Sequence, residues 1–171
     1  MIGIKEISAM TSSYKVLYVE DDETLAATVV QYFSKIFKEV VYANNGRKGL
    51  ELYKENKKFD IVFTDVEMPI MSGLEMSEEI KKINPEQNII IISSYSDADM
   101  FVASATLGID GYIIKPINHK ELNTMLYKMV KKIKSQEQND FDTKEIIELN
   151  DKILEQQNLI IQLQKDITEK K

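Results

Sequence analysis

The sequence predicts an α/β fold with a parallel sheet covered by helices on both faces, and three observations support this. Short apolar runs alternate with segments of helical periodicity along most of the chain. The runs are apolar at every position rather than every second one, as strands buried on both faces require. The connections between them are short, as α/β units need.

The elements follow in order. Lys15–Val19 (KVLYV) reads as a first strand and ends in Glu20-Asp21-Asp22. From Glu23 to Phe37 the residues Leu25, Val29, Tyr32, Phe33, Ile36 and Phe37 recur at helical spacing. Val40–Ala43 is a second strand, followed by the turn signal Asn44-Asn45-Gly46. Arg47–Glu55 is helical, with Leu50 and Tyr53 on its apolar side. Ile61–Thr64 is a third strand, too short for a helix and rich in β-branched and aromatic residues. It climbs to Asp65, and a loop stiffened by Pro69 and closed by Gly73 follows. Leu74–Ile83 is helical and Asn84-Pro85 ends it. Ile89–Ile92 is a fourth strand, Ala98–Leu107 a helix stopped by Gly108, and Tyr112–Ile114 a fifth strand meeting Lys115-Pro116. Asn118 caps a last helix, with Glu121 three residues on as its box partner.

Composition narrows the function classes. The 171 residues suffice for one ordinary domain plus an appendage, and 43% hydrophobic content supports a packed core. The formal charge of −6 and pI near 5.0 disfavour direct nucleic-acid binding. The absence of cysteine excludes thiol chemistry and fits a cytoplasmic location. The longest purely apolar run, Ile89–Ile92, is far below a membrane span, so no membrane association is expected. Met1–Ser13 lacks the apolar core of a signal peptide and reads as a flexible leader.

The polar residues that interrupt the strands fall at one rim. Glu20-Asp21-Asp22 follows strand one, Asp65 strand three, Ser93 strand four and Lys115 strand five. In an open α/β sheet this carboxyl rim is where ligands bind, and strands one, three, four and five are neighbours in the flavodoxin-like order. Crowded carboxylates repel one another, and a hard divalent cation held by oxygens relieves that repulsion. A lysine and a hydroxyl nearby suit the oxygens of a phosphoryl group. Each feature also has an ordinary explanation. An acidic triplet suits a helix N-terminus, a strand-end aspartate caps loops, serine ends many strands, and Lys-Pro makes turns. Those explanations require four separate coincidences at the ends of four strands.

The stretches VLYVEDDE (Val16–Glu23), DIVFTDVEMPIMSG (Asp60–Gly73), IIIISSYSD (Ile89–Asp97) and GYIIKPI (Gly111–Ile117) resemble the receiver domain of two-component response regulators, in order and spacing, over Tyr14 to Lys134. The resemblance implies a flavodoxin-like five-stranded sheet. It implies that Asp65 accepts a phosphoryl group from a histidine kinase or phosphotransfer protein in a phosphorelay. It further implies that Asp21, Asp65 and the backbone carbonyl of Glu67 hold Mg2+, with Glu20 at the outer acidic position. Lys115 would pair with the acids and then with the phosphoryl group. Ser93 matches the switch hydroxyl and Tyr112 the switch aromatic, and Lys115-Pro116 would be cis. Glu20 stands where aspartate is also common, and Ser93 where threonine is. No required group is missing.

Two enzyme classes fit less well, so the chain is expected not to be an enzyme. A phosphatase of the haloacid dehalogenase class needs a second aspartate two residues after the first, where this chain has Glu67. A flavodoxin needs a Ser/Thr/Gly-rich phosphate loop after strand one, where this chain has acids. A scaffold without switching would have no use for mutually repelling carboxylates. His119, the only histidine, lies at a helix start and reads as solvated, so the chain lacks a phosphodonor of its own.

After the last helix, Ser135–Asp142 is polar and without periodicity, and reads as a hinge. Asp142-Thr143-Lys144-Glu145 resembles a new helix start. Ile146, Leu149, Ile153, Gln156, Ile160, Leu163 and Ile167 then follow steps of three and four. With Ile at each a position and Leu at two d positions, 143–171 is expected to form a parallel coiled coil and a homodimer. Ile147, Leu154 and Ile161 widen the stripe, which also suits a helix folded back on the receiver or more than two strands. The chain is either a stand-alone receiver with a dimerising tail or the front piece of a longer protein.

Overall fold

The structure is a computed structural model that describes residues 3–56, 58–94 and 98–169, with side chains described except at 98–101 and 159–169. The chain divides into two units, Met1–Val130 and Lys131–Lys171.

The first unit contains α1 (Ile4–Thr11), β1 (Lys15–Val19), α2 (Glu23–Phe33), β2 (Glu39–Ala43), α3 (Gly46–Asn56), β3 (Ile61–Thr64), α4 (Gly73–Ile83), β4 (Asn88–Ser93), α5 (Ala98–Thr106), β5 (Gly111–Ile114) and the beginning of α6 (His119–Glu169). The strands form one parallel sheet in the order β2-β1-β3-β4-β5. That is the flavodoxin-like order expected from the sequence.

Alternation along the strands sorts the core into two layers. Leu17, Val19 and Val62 meet Leu50, Tyr53, Met76 and Ile80 of α3 and α4. The other layer is aromatic. Phe33 lies 5.5 Å from the Tyr18 ring and 4.6 Å from that of Phe63, and Phe37 packs edge-on to Phe33. Leu122, Leu126 and Val130 of α6 are also buried. Burial on both faces explains why β1, β3 and β4 carry no alternating polar residues.

Local chemistry sets the helix ends. Asp22 caps α2, accepting from the Thr24 and Leu25 amides at 2.9 and 3.0 Å. Ser72 and Glu75 form a reciprocal capping box at the start of α4. Asn118 accepts from the Lys120 amide at the start of α6. α2 stops at Phe33, four residues short of the periodic pattern. Ile36 and Phe37 are buried from the turn that follows, their amides both bonded to the Phe33 carbonyl.

The amino terminus differs from the expected flexible leader. Ile4–Thr11 is a helix, with Ile7 and Thr11 fully buried. The Thr11 hydroxyl is bonded to the carbonyls of Ile7 and Ile36, and Ser8 donates to Lys35. These long-range contacts attach a segment whose own pattern offers only one buried aliphatic residue.

At Ser135–Asp142, the stretch expected to be a hinge, α6 continues without a break in the helix. The stretch has no glycine or proline to break a helix. Gln138 donates to Asp142 one turn on, at 2.7 Å, and the Thr143 hydroxyl donates to the Asn139 carbonyl. Within the second unit Phe141, Ile146, Ile147, Leu149, Ile153 and Leu154 are all exposed, at 44–63%. The side chains of Ile160, Ile161, Leu163 and Ile167 lie outside the described residues.

Candidate functional site

Four strand ends meet at the carboxyl rim of the sheet. Backbone ladders fix their relative positions before any side chain contributes. Val19 pairs with Thr64, so Glu20 and Asp65 emerge side by side. The Asp65 amide donates to the Val19 carbonyl at 2.9 Å. Ser93 pairs with Ile114, and the Lys115 amide donates to the Ser93 carbonyl at 2.8 Å. Lys115 is therefore delivered beside β4 and aimed back across the rim. Its peptide bond to Pro116 is cis.

Carboxylate oxygens of Glu20, Asp21 and Asp65 lie within 4.8 Å of one another. Glu20 and Asp65 are buried and Asp21 is exposed. The Lys115 ammonium contacts Asp65 Oδ2 at 2.5 Å and Glu20 Oε2 at 2.8 Å. The other Asp65 oxygen accepts from the Val66 amide at 2.6 Å. Three carboxylates thus face one ammonium. At this spacing each pair of like charges repels by on the order of 3 kcal/mol in a partly screened site.

The protonation equilibria carry the same imbalance. Burial pushes the Glu20 carboxyl above its ordinary value. The hydrogen bond and charge of Lys115 pull it down, the Asp65 charge pushes it up again, and the net direction is upward. Burial works against the Lys115 ammonium, but its hydrogen bonds to Asp65 and Glu20 outweigh that and hold it above the ordinary lysine value. All-oxygen donors at this spacing, with negative charge left over, fit a hard divalent cation.

The loop after Asp65 is tightly built. A Cβ on Gly73 would stand 1.8 Å from the Asp65 carbonyl oxygen, so only glycine permits this approach. The Gly73 amide donates to Val66, and Met71 donates to Pro69 across Ile70, which has φ 73°. A β-branched residue at positive φ is strained, and such strain gathers beside functional sites. Asp21 and Glu67 both line an open depression of about 510 Å3 beside this loop.

The acidic triplet divides between two roles. Glu20 and Asp21 join the cluster, while Asp22 caps α2. Ser93 is fully buried at the end of β4, and Tyr112 is half-buried on β5 opposite Ile91. Tyr95, Ser96 and Asp97 lie outside the described residues. His119 is exposed, and its ring lies against Tyr32 at 4.3 Å rather than being merely solvated. Sequence reasoning missed two phenols. Tyr18 donates to the Glu20 carboxylate at 3.1 Å, and Tyr42 to the Glu20 carbonyl at 2.8 Å. Both read as strand core, since a tyrosine's apolar ring hides where its hydroxyl ends.

Comparison with known proteins agrees with this geometry. Residues 16–127 match the family model described as response regulator receiver domain. The chain is 34% identical over 118 residues to the chemotaxis protein CheY of Thermotoga maritima, covering 68% of this chain and 98% of that protein. It is 34% identical to a cyclic di-GMP phosphodiesterase of the same organism and 35% to the transcriptional regulatory protein ZraR of Klebsiella oxytoca. It spans only 27% and 25% of those two proteins. Among solved structures, the N-terminal domain of an uncharacterized Wolinella succinogenes protein aligns with a TM-score of 0.66 at 31% identity, covering 73% of this chain and 99% of that one. A CheY-like receiver domain protein from Methanospirillum hungatei aligns with the same score at 28% identity, covering 73% and 99%. The chain belongs to the response regulator receiver domain family, the phosphorylation-controlled switches of two-component signalling.

Proposed function

We propose that Asp65 is the phosphoacceptor of this chain. It takes its phosphoryl group from the phosphohistidine of a histidine kinase or phosphotransfer protein in a magnesium-dependent reaction. The observation that carries this reading is the pairing of Asp65 with Lys115 at 2.5 Å inside the cluster of Glu20, Asp21 and Asp65.

In the reaction an Asp65 carboxylate oxygen attacks phosphorus in line, the P–N bond breaks, and the imidazole leaves with its electron pair and takes up a proton. The Val66 amide holds Asp65 Oδ1, and Lys115 holds Oδ2 in the resting state. Lys115 then turns its ammonium to the arriving phosphoryl oxygens, where charge develops. Glu20, Asp21, Asp65 and the Glu67 carbonyl would hold Mg2+, which when bound supplies positive charge against the phosphoryl oxygens. Ser93 donates its hydroxyl to the phosphoryl group, and Tyr112 turns inward behind it. The phosphoryl group shifts the conformational equilibrium only through contacts it makes better in one state.

Receiver domains are generally not enzymes, and this chain acts through the switch. We place the receiver at 14–134 and assign 143–171, of which 170 and 171 lie outside the described residues, to a parallel dimeric coiled coil. The stripe of Ile146, Leu149 and Ile153 supports that assignment. Among the described residues no helix is long and apolar enough to cross a membrane.

The test is modification by a small acyl phosphate with Mg2+, read by intact mass. The chain gains one phosphoryl group, and Asp65→Asn gains none while keeping its fold. Undiminished labelling of Asp65→Asn overturns the assignment.

A further inference from the structure

Glu20 is held from two sides. On one side the Lys115 ammonium reaches both carboxylate oxygens, at 2.8 and 3.0 Å. On the other, Tyr18 donates its phenol to Oε2 at 3.1 Å. Tyr18 lies two residues before Glu20, so strand periodicity puts both on the same side of β1. Its ring is wholly buried and wedged edge-on against Phe33. Directly across the ladder, Tyr42 holds the Glu20 carbonyl. One phenol therefore fixes the backbone of Glu20 and the other fixes its carboxylate.

The two supports of the carboxylate differ in permanence. Lys115 is shared between Glu20 and Asp65, and a lysine stem is flexible. When its ammonium turns to another anion, Glu20 loses that donor while still buried, and a buried carboxylate without a donor is costly. The Tyr18 phenol is not shared in this way, because its ring is clamped in the aromatic layer.

We propose that Tyr18 is a positioning residue that keeps the Glu20 carboxylate aimed at the cation site whether or not Lys115 is paired with it. This rests on the reading of the rim as a magnesium site, and extends it to a residue behind the acids. A carboxylate that holds a cation needs an outer partner to fix its orientation, and losing such a partner costs about tenfold or more in metal affinity. The pairing is matched in length. Aspartate at position 20 would withdraw the carboxylate by one carbon–carbon bond, about 1.5 Å, out of reach of the phenol. The effect of Tyr18 therefore depends on glutamate being there.

Calorimetric titration of the full chain with Mg2+ tests this in four proteins: wild type, Tyr18→Phe, Glu20→Asp and the double variant. Phenylalanine keeps the ring and its packing, and circular dichroism and thermal unfolding check that the fold persists. Tyr18→Phe is expected to weaken Mg2+ binding about tenfold and to have no effect in the Glu20→Asp background. Equal affinity of wild type and Tyr18→Phe overturns the inference while leaving the magnesium site intact. An equal loss in both backgrounds also overturns it, because the ring would then act through packing alone. A wild type that binds no Mg2+ overturns the site reading, and this inference with it.

Discussion

The two units of this chain leave different needs unmet. The first buries its apolar residues completely along β1, β3 and β4 and caps α2 and α4 with side chains, but concentrates three carboxylates against one lysine. The second has no such charge cluster among its described residues, yet leaves Ile146, Leu149, Ile153 and Leu154 in solvent. One region has too much like charge and the other too much apolar surface. As proposed above, a hard cation and a phosphoryl group would complete the first. As proposed above, another apolar helix would complete the second. The contrast shows how a sheet core can be closed in packing and open in electrostatics, while a continuous helix can leave an apolar stripe exposed.

The sharpest way to break this contrast is to make the tail polar. Replacing Ile146 and Ile153 together by lysine removes two apolar seam residues from each helix, each contributing about 1.5–3 kcal/mol when buried. Sedimentation of the full chain is expected to show association weakened on the order of hundredfold or more, with Asp65 modification by a small phosphodonor unchanged. A dimer as tight as wild type would show that the apolar stripe is not the contact.

A second test asks whether the first unit's closure includes its added amino-terminal helix. Ile7 is fully buried although it precedes the family-matched residues 16–127. Ile7→Ala is expected to cost about 2–5 kcal/mol and to lower the unfolding temperature of the receiver. An unchanged unfolding temperature would restore the flexible-leader reading.

The smallest expected effect concerns the capping box of α4. The Ser72 amide and hydroxyl both donate to Glu75 and hold its carboxyl below the ordinary 4.5. A lowered folded value means stability that is complete above about pH 4.5 and is lost as the pH falls through the folded value. Wild type should therefore unfold slightly above Glu75→Gln at neutral pH. The gap should close in acid, as thermal scans at pH 7 and pH 3 would show. A gap that widens in acid would contradict the assigned sign.

Much of this was legible in the sequence because each signal was local. Apolar runs located the strands, and the clustered acids Glu20, Asp21 and Asp65 follow directly on the ends of two of them. The rest lay in contacts between distant residues. The docking of α1 depends on Thr11 meeting the Ile36 carbonyl, which no local pattern announces. The division of the acidic triplet was hidden because a cap and a metal ligand use the same side chain, and only geometry assigns Asp22 to α2. The continuity of α6 was missed because a polar stretch without periodicity was read as a break. Absence of an apolar face does not end a helix when nothing in the stretch opposes the helical backbone.

The crowded rim is proposed above as a magnesium-dependent phosphoacceptor centred on Asp65. Peptide mapping of the full chain after treatment with a small acyl phosphate, with Mg2+ and then with a chelator, tests it most directly. One phosphoryl group is expected on Asp65 with Mg2+ and none with the chelator. Equal modification without the metal, or a label on Asp21 or Glu20 instead, would contradict it.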